Sequence, residues 1–410
     1  MHINIKNFIR TILNYFLKLG LLNLNLTYTS SESSIIPHSD KKDLGILIQP
    51  NYHPEKDHQE IYSIIGIGDP IVDITSYIKP SLIEKFGLKI GDSIFADEAS
   101  TDKNLEVFKV LESMDAVSYV PGGSVQNSMR VLSWCLGMEP NKRDKFSVSM
   151  LGSIGDDDYK NKILNALKDN GVNSMLQIIK GDKTSRCGVG IYKKEKLFVT
   201  QIRASKRLSV EYIEENIERI LAHQILIIEG YLMKNKFDVC EKLCEYFSNR
   251  KKMIILTLSA SFIPKYYNEN LIKIANKSDI IAGSMEEAKE LAGNEGKTPD
   301  EIFANIFKKL TPKDNRLLVI TDGANGAFCA KYDYHNDKME YIVQTFANTL
   351  KDEEIQDLNG AGDAFLGGFL SEFMKGYSIC DCLKNGIEAA SVILKNVGCT
   401  FPKKQNFLIK

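Results

Sequence analysis

The chain has 410 residues, 43% of them apolar and 26% charged, an ordinary globular composition that excludes a wholly disordered polymer and supplies one large core with a smaller appendage. Its 52 Lys and Arg stand against 53 Asp and Glu, a formal net charge of -1, so no global field draws nucleic acid or a membrane surface and neither is expected as a partner. Eight scattered cysteines form no C-x-x-C pair and no histidine falls in an H-E-x-x-H arrangement, which points to reduced thiols in a reducing compartment and against a zinc hydrolase.

At residues 4–18, Ile5, Phe8, Ile9, Ile12, Leu13, Phe16 and Leu17 recur at helical spacing, with Lys6, Arg10 and Lys18 as charges and no acid before Glu32. Two readings stand side by side: a presequence or membrane-surface helix, and a helix that packs on the body of the protein or a species-specific tail. Arg10 and Lys18 interrupt the apolar run, so no stable membrane span is expected. Residues 27–57 read as a polar linker, which divides the chain into an N-terminal extension at 1–57 and a folded domain at 58–410.

From residue 61 onward, β-branched runs alternate with amphipathic stretches. Strands are predicted at 61–67, 146–151, 225–229, 253–258, 279–282, 317–321 and 327–330. Helices are predicted at 124–136, with Val125, Met129, Leu132 and Leu136 on one face, and at 159–170, 235–250, 285–292, 299–310 and 363–375. Repeated βα units predict an α/β fold, a mostly parallel sheet covered by helices on both faces, with ligands at the carboxyl ends of its strands. Segments at about 73–97 and 175–202 are rich in β-type residues and lack helical connections. They read as extra antiparallel strands forming a small lid.

The strongest local signal is Asn359-Gly360-Ala361-Gly362-Asp363, followed by an apolar helical stretch. Glycines before a helix leave backbone amides free to converge on an anion, where the helix dipole adds favourable potential. Asp363 in the first turn can take a proton from an attacking hydroxyl, or it can simply cap the helix. A second cluster, Gly122-Gly123-Ser124, opens the helix bearing Asn127. Gly123 permits close approach of a ligand hydroxyl and Asn127 offers a donor and an acceptor, while the plainer reading is a turn with Ser124 as N-cap. Asp73, after Gly68-Asp69-Pro70, suits a vicinal diol or a solvated loop. Glu286 and Glu287, after Gly283-Ser284, orient hydrated Mg2+ or complement a helix dipole. No G-x-x-x-x-G-K-[ST], H-R-D or D-F-G element occurs, which disfavours P-loop and protein kinases.

These residues in this order, from about 61 to 407, resemble the ribokinase-like (PfkB) family of kinases. Gly122-Gly123-x-x-x-Asn127 is similar to its first signature and Asp357-Leu358-Asn359-Gly360-Ala361-Gly362-Asp363 to its second. Within that family, Gly68-Asp69-Pro70 through Asp73, Gly123 through Ser128, Leu258 through Ile263 and Gly398 through Pro402 look like adenosine kinases. The resemblance implies a three-layer ribokinase-like fold with a β-rich lid, and ATP-dependent phosphorylation of the 5'-hydroxyl of adenosine to give AMP and ADP. Another nucleoside or a free sugar is the alternative acceptor, and a catalytically impaired nucleoside-binding protein a third reading. By the same resemblance Asp363 is the general base, and Gly360, Ala361 and Gly362 form the anion hole. Asp69, Ile71, Asp73, Gly122, Gly123, Asn127 and Phe198 bind the substrate. Ser284, Thr321, Gly323, Asn359 and Gly362 bind ATP, and Glu287 serves Mg2+. A cytoplasmic monomer is implied, with organellar targeting by the N-terminal segment as the alternative location. The chain departs from adenosine kinases at Asp69 and Ser284, where they carry Asn, at Leu358, where they carry Thr, and at Lys196, where the family places a phosphate-facing Arg.

Overall fold

The computed structural model describes residues 35–36, 62–89, 93–96, 102–138, 145–192 and 195–403. The helix expected at 4–18 and most of the linker expected at 27–57 lie outside the described residues. In chain order the first eight strands are β1 (Ile35–Ile36), β2 (Tyr62–Ile67), β3 (Ile71–Tyr77), β4 (Ser93–Phe95), β5 (Ser118–Gly122), β6 (Phe146–Gly155), β7 (Asn173–Ile179) and β8 (Ser185–Tyr192). Then follow β9 (Glu195–Gln201), β10 (Ile225–Glu229), β11 (Met253–Thr257), β12 (Ile280–Ser284), β13 (Leu317–Thr321), β14 (Ala327–Asp333) and β15 (Lys338–Thr345).

The main sheet runs β1-β15-β14-β13-β12-β11-β10-β2-β6-β7. Every pairing from β13 through β7 is parallel, and β14, β15 and β1 add an antiparallel edge. Strands such as Ile225–Glu229 and Met253–Thr257 are buried along their whole length, the continuous apolar run that a parallel sheet covered on both faces requires. From β2 the chain moves outward to β6 and β7 and later returns to the other side as β10, so the strand order reverses beside β2. Ligands bind at such a crevice, outside the carboxyl ends of the strands.

One core cluster joins this sheet to the helices Ser124–Cys135, Ala361–Met374 and Ile379–Leu394; a second joins its opposite face to Phe237–Asn249, Asn268–Lys277 and Pro299–Lys309. The Ala361–Met374 helix is buried almost all round. A Cβ at its Gly367 would meet the Leu132 amide and Ser128 carbonyl at 2.8 Å, and one at Gly368 the Asn385 carbonyl at 2.6 Å. These two glycines let the flanking helices close in, and the first draws the Ser124 helix against the turn carrying Asp363.

The smaller sheet runs β4-β9-β8-β3-β5. It is mixed rather than antiparallel: β3 pairs parallel with β8 and β4 parallel with β9, while β3–β5 and β8–β9 are antiparallel. Its membership also differs from the expected 73–97 and 175–202. Asn173–Ile179 belongs to the main sheet, parallel to β6, and β5 joins the small sheet instead. Residues Pro80–Phe86 form a helix, with Pro80 in the first turn and Gly87 at φ 63° ending it. Alternating apolar character alone does not say which sheet a strand joins, and a short Pro-led helix is hidden among β-type residues. Ile35 and Ile36, within the stretch predicted as linker, pair with β15.

Candidate active site

Where β2 ends, Asp69 and Pro70 turn the chain into β3, the bridge between the main sheet and the small one. The Asp69 side chain is buried and forms an ion pair with the Lys236 ammonium, which also donates to the Ser205 carbonyl at 2.6 Å. The Asp69 amide donates to Glu229 Oε2 at 3.1 Å. Burial, then the neighbouring Asp69, push the Glu229 carboxyl up from its ordinary range. The Asp-for-Asn departure at 69 therefore has a partner: Lys236 balances the charge that an amide would not have carried.

Two residues into β3, Asp73 lies against Gly122 at the end of the antiparallel partner β5, where a Cβ would fall 2.5 Å from its carboxylate oxygens. Burial pushes the Asp73 carboxyl up to about 7, opposed by the Lys196 ammonium and reinforced by Asp363 and Asp357. Gly123 follows at φ 99°, its would-be Cβ 2.2 Å from the Asp69 carbonyl, so only glycine serves there. Gly123 is itself the N-cap, with no side-chain cap bond; Ser124, read as a cap in the sequence, instead donates to Asp363 Oδ1 at 2.7 Å. Asn127, one turn on, donates to Asp363 Oδ2 at 3.0 Å. Its own Oδ1 is buried and has no hydrogen-bond partner among the described residues, and Asn127 lines the larger cavity described below.

Gly360, at φ 80°, precedes the Ala361–Met374 helix. The Ala361 amide reaches the Leu358 carbonyl at 3.5 Å and the Ala364 amide bonds to the Gly360 carbonyl, which leaves the first-turn amides of Gly362 and Asp363 without a carbonyl partner among the described residues. Gly362 is exposed, and a Cβ there would meet nothing within 4 Å. That open space beside two free amides is the right shape for an anion. Burial raises the Asp363 carboxyl, and the Asn127 and Ser124 hydrogen bonds pull it back down.

Asp363 and Gly362 line two cavities. The larger, about 650 Å3, also takes Asp69, Ile71, Asp73, Gly123, Asn127 and Phe198, together with Asn359 and Gly360, and its size suits a nucleoside-sized ligand. The smaller takes Ser284, Glu287 and Thr321. Four expected residues are placed otherwise. Gly122, assigned to the substrate, lines neither cavity and backs the Asp73 carboxylate instead. Asn359, assigned to ATP, faces the larger cavity; Gly323 lines neither and begins the turn Gly323–Asn325 after β13; Ala361 lines neither.

Ser284 and Glu287 form a capping box, the Ser284 hydroxyl accepting from the Glu287 amide at 3.3 Å and Glu287 Oε2 from the Ser284 amide at 2.9 Å. The alternative reading of Glu287 as a helix-end acid is thus realised, yet its carboxyl still faces the smaller cavity, raised by burial. Glu286 is exposed outside it. Among the described residues no three His, Cys, Asp or Glu side chains gather into a metal cage. Glu287 and Asp363 alone suit a cation that arrives with phosphate oxygens and keeps its waters, as Mg2+ does.

Two further departures find their places. Leu358 is 74% exposed. Lys196, expected to face a phosphate, is instead ion-paired with the buried Asp357. Sequence reading missed the aromatic wall of the larger cavity: Phe95 meets Phe262 edge-on at 6.2 Å and Tyr231 lies 5.9 Å from Phe262. It also missed Glu229 and Lys236. Phe262 lies within the 258–263 stretch; Phe95, Glu229, Tyr231 and Lys236 sit on a small-sheet strand, the end of β10, the turn after it and the cap of the Phe237–Asn249 helix.

Residues 81–406 match the family described as pfkB family carbohydrate kinase. The chain is 30% identical to the adenosine kinase of Schizophyllum commune, over 84% of this chain and 98% of that one. It is 28% identical to adenosine kinase 2 of Arabidopsis thaliana, over 84% and 97%. Its structure is similar to that of Anopheles gambiae adenosine kinase in complex with P1,P4-di(adenosine-5) tetraphosphate, with a TM-score of 0.73 and 27% identity, covering 84% of this chain and 98% of that one. Among the described residues, no helix is long and apolar enough to cross a membrane.

Proposed function

Because the chain belongs to the pfkB family of carbohydrate kinases, whose members move a phosphoryl group from ATP to a hydroxyl, we propose that its acceptor is the 5'-hydroxyl of adenosine and its products AMP and ADP. The observation that carries this reading is the position of Asp363. Its carboxylate and the amides of Gly362 and Asp363 stand where the two cavities meet. A hydroxyl arriving from one side and a triphosphate from the other share a single base and a single anion hole.

Adenosine occupies the larger cavity with its ribose hydroxyls donating to Asp73 and approaching Gly123 and Asn127. The purine lies by Ile71 and Phe198, facing the wall of Phe95, Tyr231 and Phe262. Asp363 removes the 5'-hydroxyl proton as the new oxygen–phosphorus bond forms and the bond to the β-phosphate oxygen breaks, releasing ADP. Ser284 and Thr321 line the nucleotide side, with Gly323 on the turn beyond. Glu287 would hold Mg2+ through water, and the ion would neutralise phosphate charge.

A second reading keeps this chemistry with another nucleoside or a free sugar as acceptor. Asp69 and Glu229 favour it, because they place two carboxyls at the wall of the acceptor cavity, with Lys236 paired to Asp69. An ATP-consumption assay over adenosine, other nucleosides, ribose and fructose separates the two. Adenosine is expected to turn over best; phosphorylation of ribose or fructose with adenosine ignored would overturn the substrate assignment.

A further inference from the structure

Lys196 and Asp357 belong to different parts of the fold. Lys196 is on β9 of the small sheet, and Asp357 precedes the turn that leads into the Ala361–Met374 helix. Their side chains are only 10% and 1% exposed and form an ion pair. Two charges so far from water are stable only when paired and hydrogen-bonded, and Asp357 meets that condition three ways. Its Oδ1 accepts from the Asn359 amide at 2.8 Å, and its Oδ2 from the Gly398 amide at 2.6 Å as well as from Lys196.

Each bond holds one side of the same turn. The Asn359 bond shapes the loop whose Asn359 and Gly360 line the larger cavity. The Gly398 bond ties it to the C-terminal segment, where Cys399 packs against Gly360, 3.1 Å from where a Cβ would stand, and the Cys399 carbonyl accepts from Arg130 at 3.3 Å. Lys196 supplies the remaining contact, and it comes from the small sheet.

We propose that Lys196 is a positioning residue for phosphoryl transfer, fastening the small sheet to Asp357 and so fixing the turn that presents the Gly362 and Asp363 amides. This inference rests on the kinase reading above. It differs from a direct role: a lysine bound to the transferring phosphate acts on the nucleotide, whereas one bound to Asp357 acts on the turn.

The full-length chain and four variants separate these roles: Lys196→Met, Lys196→Arg, Asp357→Asn and the Lys196→Met/Asp357→Asn double variant. Turnover is measured with saturating acceptor and varied ATP, and hydrogen exchange of the 358–363 amides is followed without nucleotide. Lys196→Met is expected to lower kcat about tenfold or more while the KM for ATP stays within roughly twofold, since the interaction lost is with the turn and not with the nucleotide. Lys196→Arg retains most of the rate. The double variant is no slower than Asp357→Asn alone, because residues acting as a unit are non-additive. Exchange of the 358–363 amides speeds up in Lys196→Met and not in Lys196→Arg.

The proposal is overturned if Lys196→Met costs the same factor with and without Asp357, if its main effect is on the KM for ATP, or if exchange at 358–363 is unchanged. Should Asp357→Asn fail to fold, the Met and Arg variants still decide through exchange. A wild-type chain that phosphorylates no nucleoside or sugar refutes the kinase reading, and the exchange difference then reports on the fastening by itself.

Discussion

Burial lifts the Asp363 carboxyl, and two protein hydrogen bonds hold that rise in check. Burial favours its neutral form, while Ser124 and Asn127 donate to the charged one. A base must be ionised to accept a proton, so losing a donor moves its pKa up and the acid limb of activity with it. Ser124→Ala should therefore shift the rising limb of kcat/KM to higher pH by roughly one unit, the size expected for a hydrogen bond to a charged group. Activity lost at pH 6 should return on the alkaline side; a pH–rate profile whose limb does not move would separate Ser124 from the base. Asp363→Asn removes the base itself. We expect kcat to fall on the order of a thousandfold or more with acceptor binding kept, measured by turnover beside calorimetric titration. A loss smaller than about tenfold would mean that the proton goes elsewhere.

The start of the Ala361–Met374 helix is tuned for function against its own stability. Glycine is a poor helix former, and alanine at 362 would meet no atom within 4 Å, so Gly362→Ala should hold or raise the melting temperature, by up to about 1 kcal/mol of helix propensity. The same methyl group fills the space beside the free amides, and kcat should fall by about a hundredfold or more, as when an oxyanion-hole donor is lost. Thermal melts and turnover on one preparation test both halves; an active, stabilised variant would show that no phosphoryl group passes there. Gly367 and Gly368, further along, are held by packing. Legibility at this scale followed burial. Ile225–Glu229 and Leu317–Thr321 were predicted to the residue because their apolar runs end sharply at polar positions. The expected lid segment from 175 takes in most of Asn173–Ile179, which belongs to the main sheet, since a half-buried edge strand reads alike in either. The Ile379–Leu394 helix, though begun by a Ser378 cap, and β15 were not read at all.

Across the whole molecule the site gathers acids faster than bases, and this part of it was least visible in the sequence. Asp363 and the two glycine pairs announced themselves because each motif is local. The Asp69–Lys236 pair spans 167 positions, and nothing in a single sequence joins such residues. Glu229 reads only as the last residue of a strand. The outcome is three carboxyls drawn away from water, Glu229 buried and Asp73 and Asp363 half-buried, all shifted upward mainly by desolvation. A carboxyl whose folded pKa exceeds its unfolded value binds its proton more tightly in the native state. Its contribution to stability is whole below the unfolded value and is lost as pH climbs through the folded one. For Asp73 that window runs from 3.8 to about 7. Asparagine at 73 cannot titrate, so the melting temperature of the wild type relative to Asp73→Asn should fall between pH 5 and pH 8, on the order of several degrees. Adenosine should work in the opposite sense. Its ribose hydroxyls donate best to an ionised Asp73, so the stabilisation conferred by a fixed adenosine concentration should grow from pH 5 to pH 8 in the wild type and stay level in the variant. Differential scanning fluorimetry across that range measures both; a wild-type advantage that rises with pH without ligand, or an adenosine effect indifferent to pH, would remove Asp73 from the ribose site.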